Sequence, residues 1–276
     1  MTGNFLYNWI YALFFGFTEF LGVDSVTHVR IFELLTGYQP NFPIMHFALR
    51  LGLLTALLVS CWSRIRRLMR EQSYASRARR LKRPPDPIAK LDLRLLRMAT
   101  LPIIAGLFLY NKLQGLFNSF LLMSLVLLIN AVILYIPRII NSGNKDGRSA
   151  SPADSFLLGF GGLLGFVPGF SRIGSMLTAG AVGGLERGYC LDAALLLSIP
   201  ALAGILILDM MALVAAKTAI TLVMLGIGLI YAVTAFFSGW LAIVMMRYLS
   251  IKIGYTGFAY YSFGLALLMF VFYLVI

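Results

Sequence analysis

Apolar runs at 5–21, 44–62, 98–110, 117–136, 156–184, 193–214, 219–246 and 255–276, cut by short polar or glycine-bearing segments, set the plan of the chain. Most approach the roughly 20 residues that an α-helix needs to cross a bilayer. Two of them do not read as plain spans. The first carries Glu19 near its end and turns through Gly22, Asp24, Ser25 and His28 into a second short helix toward Leu35. That pattern predicts a re-entrant helical hairpin over about 5–35. The run 156–184 is interrupted by Pro168-Gly169-Phe170-Ser171-Arg172-Ile173-Gly174-Ser175. Proline lacks an amide hydrogen and clashes with the preceding turn, so a helix arriving from Phe156 stops there. The expectation is a second hairpin over about 156–186. The alternative is one proline-kinked span whose Arg172 snorkels to an interface.

The remaining runs are expected to be six spans. The span 44–62 leaves into a polar segment at 63–97. Spans 98–110 and 117–136 are joined at Asn111, Lys112 and Gly115, and a polar linker, 138–148, marks the midpoint. Spans 193–214, 219–246 and 255–276 complete an all-α polytopic membrane protein. One broken hairpin and three spans, twice over, suit a single integral-membrane domain, 1–276, built from repeats 1–137 and 154–276. Phe20-Leu21-Gly22-Val23-Asp24-Ser25 resembles Phe166-Val167-Pro168-Gly169-Phe170-Ser171: two apolar residues, a breaker, two variable positions and a serine. Inverted repeats of this kind place their site where the two breaks meet near the midplane.

Composition supports the class: 60% of the 276 residues are hydrophobic and 12% charged. The net charge of +12 is concentrated. Between Arg64 and Arg97 lie twelve basic residues, opposed only by Glu71, Asp86 and Asp92. A basic segment between spans is a cytoplasmic topology signal rather than a nucleic-acid patch, with anionic lipid headgroups as a secondary partner. The linker carrying Arg138, Lys145 and Arg148 then lies on the same side, the first hairpin and both termini lie outside, and the second hairpin enters from the cytoplasm. Cys61 and Cys190 have neither pair spacing nor a zinc pattern and read as core residues. No cleavable signal peptide is expected, because Met1 to Asn4 carry no basic residue and the first apolar run leads into Glu19.

Few polar side chains lie at membrane depth: Glu19, Asp24, Ser25, His28, Arg50, Ser171, Arg172 and Ser175. An arginine there is costly unless it faces protein or a water-filled cavity. A helix restarting near Ser171 aims backbone N–H groups and the positive end of its dipole at the break, and Arg172 adds a bidentate donor suited to phosphate. Together these make an anion pocket, with Gly169, Gly174 and Ser175 around it. Glu19 and Asp24 could hold a divalent cation or act as base. His28 reads either as a proton-transfer group or nucleophile or as a headgroup-facing residue at a helix end. Arg50 reads as a partner for Glu19 or Asp24, a second phosphate ligand, or an interfacial anchor. Asp209 reads as a solvated cap.

On these residues the chain resembles the BacA-type undecaprenyl-diphosphate phosphatases. The signature Pro-Gly-x-Ser-Arg-x-Gly stands at 168–174, and Thr18-Glu19-Phe20-Leu21 with Ser25 and His28 matches the family's first motif. Leu101-Pro102 with Gly106, Leu116-Phe117-Asn118, Ser198-Ile199-Pro200 and Phe258-Ala259-Tyr260-Tyr261 match scaffold positions. The resemblance implies two re-entrant hairpins and six spans, a bacterial inner-membrane location, and hydrolysis of a polyprenyl diphosphate at the outer face. It implies Glu19 as the acidic catalytic residue, Ser25 and His28 as the nucleophile and proton-transfer group, Ser171 and Arg172 as diphosphate ligands, and Mg²⁺ or Ca²⁺ as cofactor. A homo-oligomer is neither required nor excluded. The chain departs from the family pattern at Phe15, Asp24, Arg50, Ile173, Met176 and Ser262. Losing an acid at Phe15 and gaining Arg50 predicts a more cationic pocket. Two functions follow: a phosphatase acting on a polyprenyl diphosphate or related phosphorylated lipid, or a catalytically weakened relative that binds or transports a polyprenyl phosphate or other anionic phospholipid.

Overall fold

The computed structural model describes residues 3–38, 43–81, 87–116, 119–140, 143–217, 221–252 and 256–275. Its elements are helices: α1 (Gly3–Glu19), α2 (Ser25–Thr36), α3 (Pro43–Ser60), α4 (Trp62–Leu81), α5 (Pro87–Leu116), α6 (Phe120–Ile139), α7 (Pro152–Leu164), α8 (Arg172–Val182), α9 (Arg187–Ala215), α10 (Leu222–Lys252) and α11 (Thr256–Val275). Five are long and apolar enough to cross a membrane (in α5, α6, α9, α10 and α11), and α3, bent from α4 by 73°, passes the same test only when the two are taken together. The chain is a polytopic α-helical membrane protein.

Two expectations are corrected. The basic segment is not an irregular loop. Most of it is helix α4 and the first turns of α5, because arginine, leucine and methionine are good helix formers and Pro87 sits at a first helical position. Lys82, Arg83 and Asp86 lie outside the described residues, as do Phe117 and Asn118. Nor does the chain turn at 111–115: α5 runs on to Leu116 and accommodates Pro102 in its interior.

The helix pairs α1–α2 and α7–α8 are each interrupted by a short non-helical segment, 20–24 and 165–171. Local chemistry explains both. Asp24 caps α2, accepting from the Thr27 amide at 2.7 Å. Ser171 caps α8, accepting from the Gly174 amide at 3.0 Å. Each cap satisfies an amide at the start of a helix that would otherwise lack a partner. Gly169 adopts φ +99°, a conformation side chains with a Cβ rarely take.

Helix α3 packs along α10 and α9, α1 along α10, α5 along α7, and α6 along α11. Leu49, Leu53 and Leu57, one turn apart, form the buried face of α3. Packing in a bilayer gains little from the hydrophobic effect, so close backbone approach matters more. At Gly52 an added Cβ would lie 2.9 Å from the Ala232 carbonyl carbon. Gly52→Leu is therefore expected to force α3 from α10 and to lower the detergent-solubilised melting temperature, by about 1–3 kcal/mol of stability. An unchanged melting curve would refute that packing.

Candidate active site

The two breaks meet. The Ser171 hydroxyl donates to the Leu21 carbonyl at 3.2 Å, and the Ser171 amide donates to Asn130 Oδ1 of α6 at 3.2 Å. Asn130 in turn donates to the Ser262 hydroxyl of α11 at 3.1 Å. Backbone groups freed by both breaks are thus answered by protein, as a water-poor environment demands.

Across this junction Arg172 Nη1 donates to Glu19 Oε1 at 2.8 Å, with the two side chains 8% and 9% exposed. Ser25 Oγ donates to Glu19 Oε2 at 2.6 Å. The last residue of α1 and the first residues of α2 and α8 therefore form one line, Ser25–Glu19–Arg172. Arg172 Nε is buried with no protein acceptor, a rare condition for a charged donor. The guanidinium also lies 5.5 Å from the Phe166 ring centroid. Glu19, Ser25 and Arg172, with Phe15, Val23, Arg50, Tyr110, Gln114 and Pro168, line one pocket. A second cavity, lined by Tyr11, Arg30, Glu33 and His46, shares Phe15, Val26, Arg50, Tyr110 and Gln114 with it.

Several predicted residues have other partners or face away, although Asp24 and Arg50 both line the pocket. Arg50 reaches the pocket but pairs with Asp209 of α9 rather than Glu19 or Asp24, and donates to the Tyr110 hydroxyl at 2.7 Å. Asp209 is thus no solvated cap; its side chain is 14% exposed, because α9 packs along α3. The added guanidinium brings its own carboxylate, so the expected gain in positive charge is cancelled locally. Gly174 and Ser175 face away from the pocket. An added Cβ at Gly174 would meet Leu134 of α6, and Ser175 is buried against α7; the helical turn of 100° per residue carries them off the Arg172 side. The Ser171 hydroxyl is committed to the cap and to Leu21. Gly169 shapes the break through its backbone, between Pro168 and Phe170, which do line the pocket. The Asp24 carboxylate is held by the Thr27 amide and hydroxyl. Phe15 lines the pocket wall, and Ile173 and Met176 are fully buried.

His28 stands apart from the Glu19–Arg172 pair. Its Nδ1 donates to the Asp24 carbonyl at 2.5 Å, which leaves Nε2 to accept from the Tyr261 hydroxyl at 2.6 Å. The two rings stack 5.6 Å apart. They line an apolar groove with Phe14, Phe17, Leu21 and Phe258, and Val23 borders both that groove and the polar pocket.

The resident cation that the resemblance implies is a poor fit to this donor set. Both oxygens of Glu19 already accept hydrogen bonds, and Asp24, which lines the same pocket, commits Oδ2 to its cap. Among the described residues no three His, Cys, Asp or Glu come together as a metal cage. Sequence reasoning missed Asn130, Tyr110 and Gln114. A lone amide in the apolar α6 was the one available signal; the other two sit in ordinary helix positions.

The fold and pocket define a polytopic membrane protein with a charged, largely buried pocket between two broken helix pairs. The family described as bacitracin resistance protein BacA matches residues 8–268, and the chain belongs to it. It is 28% identical over 268 residues to an undecaprenyl-diphosphatase of Thermosipho africanus, covering 95% of this chain and 97% of that one. It is 32% identical over 241 residues to that of Myxococcus xanthus, covering 85% and 77%. The Neisseria meningitidis protein of the same name is 26% identical over 260 residues, covering 92% and 90%.

The Arg50–Asp209 pair can be tested alone. Asp209→Ala is expected to cost about 3–5 kcal/mol, because it leaves a buried guanidinium unpaired. Arg50→Gln with Asp209→Asn is expected to recover most of that in a thermal-unfolding cycle. Additive losses would show the two are not coupled.

Proposed function

We propose that this protein is a membrane lipid phosphatase. Its substrate in this reading is a polyprenyl diphosphate, the undecaprenyl compound in the names of its relatives, and it acts at the outer face of the bacterial inner membrane. The observation that carries the reading is Arg172, which holds Glu19 through Nη1 while Nε stays buried and unanswered beside the start of α8. A diphosphate oxygen is the acceptor this geometry lacks.

An incoming diphosphate competes with Glu19 for Arg172 and with Asp209 for Arg50. Both guanidiniums are positioned before substrate arrives, so little reorganisation accompanies binding. The Ser25 hydroxyl, already donating to Glu19 Oε2, attacks the terminal phosphorus as its proton passes to Glu19. The bond from that phosphorus to the bridging oxygen breaks, and the lipid monophosphate leaves. Water then displaces Ser25, the serine regains its proton, and inorganic phosphate is released. His28 acts as a positioning residue in this scheme, since its hydrogen bonds tie the α1–α2 break to Tyr261. No step runs through a metal; Mg²⁺ or Ca²⁺ enters only as a counter-ion carried in by the diphosphate oxygens.

The pairing of helices supports the two-repeat, inverted arrangement proposed for the scaffold. Exchanging α1 with α7, α3 with α9 and α5 with α10 carries the α1–α10 contact onto α7–α5 and the α3–α10 contact onto α9–α5.

Purified protein is expected to release phosphate from undecaprenyl diphosphate. Glu19→Gln and Arg172→Ala should each lower kcat about 10²–10⁴-fold while the protein stays folded by circular dichroism. Release indifferent to both changes would overturn the mechanism. Binding without release would point to a carrier of the anionic lipid instead. Calorimetry with Mg²⁺ alone is expected to show no saturable site, whereas pyrophosphate should bind in an Arg172-dependent way. Saturable Mg²⁺ binding lost in Glu19→Gln would restore a resident metal.

A further inference from the structure

Helix α4 has no part in the site, and its construction is unlike that of any span. It follows α3 after a 73° bend at Cys61, so a helix leaving a span at this angle runs close to the membrane plane. Wound at 100° per residue, Leu68, Ile65, Met69 and Trp62 succeed one another round an arc of about 120°. Arg66, Arg70, Arg67 and Arg64 fill the opposite arc. The apolar arc divides again. Ile65 packs on the protein core, and Leu68 lines a crevice together with Leu96, Ala193 and Leu196 of α5 and α9. Trp62 and Met69, by contrast, are 47% and 53% exposed. The Arg66 guanidinium lies 5.4 Å from the Trp62 ring centroid. A tryptophan beneath a basic face is the arrangement of helices that lie in a bilayer interface.

The surrounding face is basic as well. Arg64 pairs with Asp192 at the start of α9, and Arg247 at the end of α10 donates to the Ser60 carbonyl at 3.1 Å. Asp92, the acid lining the crevice, accepts from the Tyr189 hydroxyl at 2.9 Å. Arg66 and Arg70 are exposed, with Glu71 the one acid in the described side chains of α4.

We propose that α4 is an interfacial helix that binds anionic phospholipid headgroups of the leaflet into which it emerges. Trp62 and Met69 enter the acyl boundary, and Arg66 and Arg70 hold the lipid phosphates. The positive-inside rule makes this the cytoplasmic leaflet, opposite the proposed site of hydrolysis. The surface does not depend on the phosphatase reading.

The test uses the full chain in nanodiscs of phosphatidylcholine alone or mixed with phosphatidylglycerol. A nitroxide on Met69→Cys is expected to report interfacial depth in the mixed disc. Native mass spectrometry should show retained phosphatidylglycerol, with affinity falling roughly fivefold for each arginine removed in Arg66→Gln and Arg70→Gln. Both positions are exposed, and an unchanged melting temperature checks that the fold survives. Equal retention in wild type and variants would overturn the proposal. So would a label fully accessible to aqueous relaxant in both discs, which would make α4 a surface for a soluble partner.

Discussion

The ion pair between Arg172 and Glu19 is the contact on which the arrangement of the site rests. Neither charge is tolerable alone in so buried a place, and each lies beside an interruption in a helix. The cost of burying them is offset only when both interruptions come to the same point, which the pair enforces together with the Ser171 bond to Leu21. The breaks, the caps at Asp24 and Ser171 and the glycine at 169 are the local conditions for that meeting. Asn130 and Ser262 extend it to α6 and α11, so the junction is braced from two further helices.

A site built this way keeps its charges balanced before anything binds. Arg172 is matched by Glu19 and Arg50 by Asp209, yet an Arg172 nitrogen and an Asp209 oxygen remain without protein partners. Such a pocket is stable when empty and still holds one unused guanidinium donor, Arg172 Nε. The altered positions fit the same logic: Phe15 lines the wall of the pocket, and Arg50 arrived with a partner.

The breaks and the face of α4 carry different physics. Around the breaks the polar groups are few, buried and mostly paired. On the face where α4 emerges they are many, basic and largely exposed.

Much of this was legible in the residues alone. Apolar run lengths determined the spans, because a bilayer demands a minimum of apolar helix. Pro168 and the Gly22–Ser25 turn determined the breaks, because backbone chemistry is local. Glu19, Ser25 and Arg172 stood out because charge at membrane depth is costly. Which carboxylate meets which guanidinium was not legible, since that depends on how α3, α7, α8 and α9 pack, and packing sums weak contacts between residues far apart in the chain. Tertiary structure alone gave Arg50 to Asp209, spent Asp24 on a cap, turned Gly174 and Ser175 away from the pocket and set His28 against Tyr261. Sequence determined where the chain had to break at 22–25 and at Pro168; only packing decided what faced the gap.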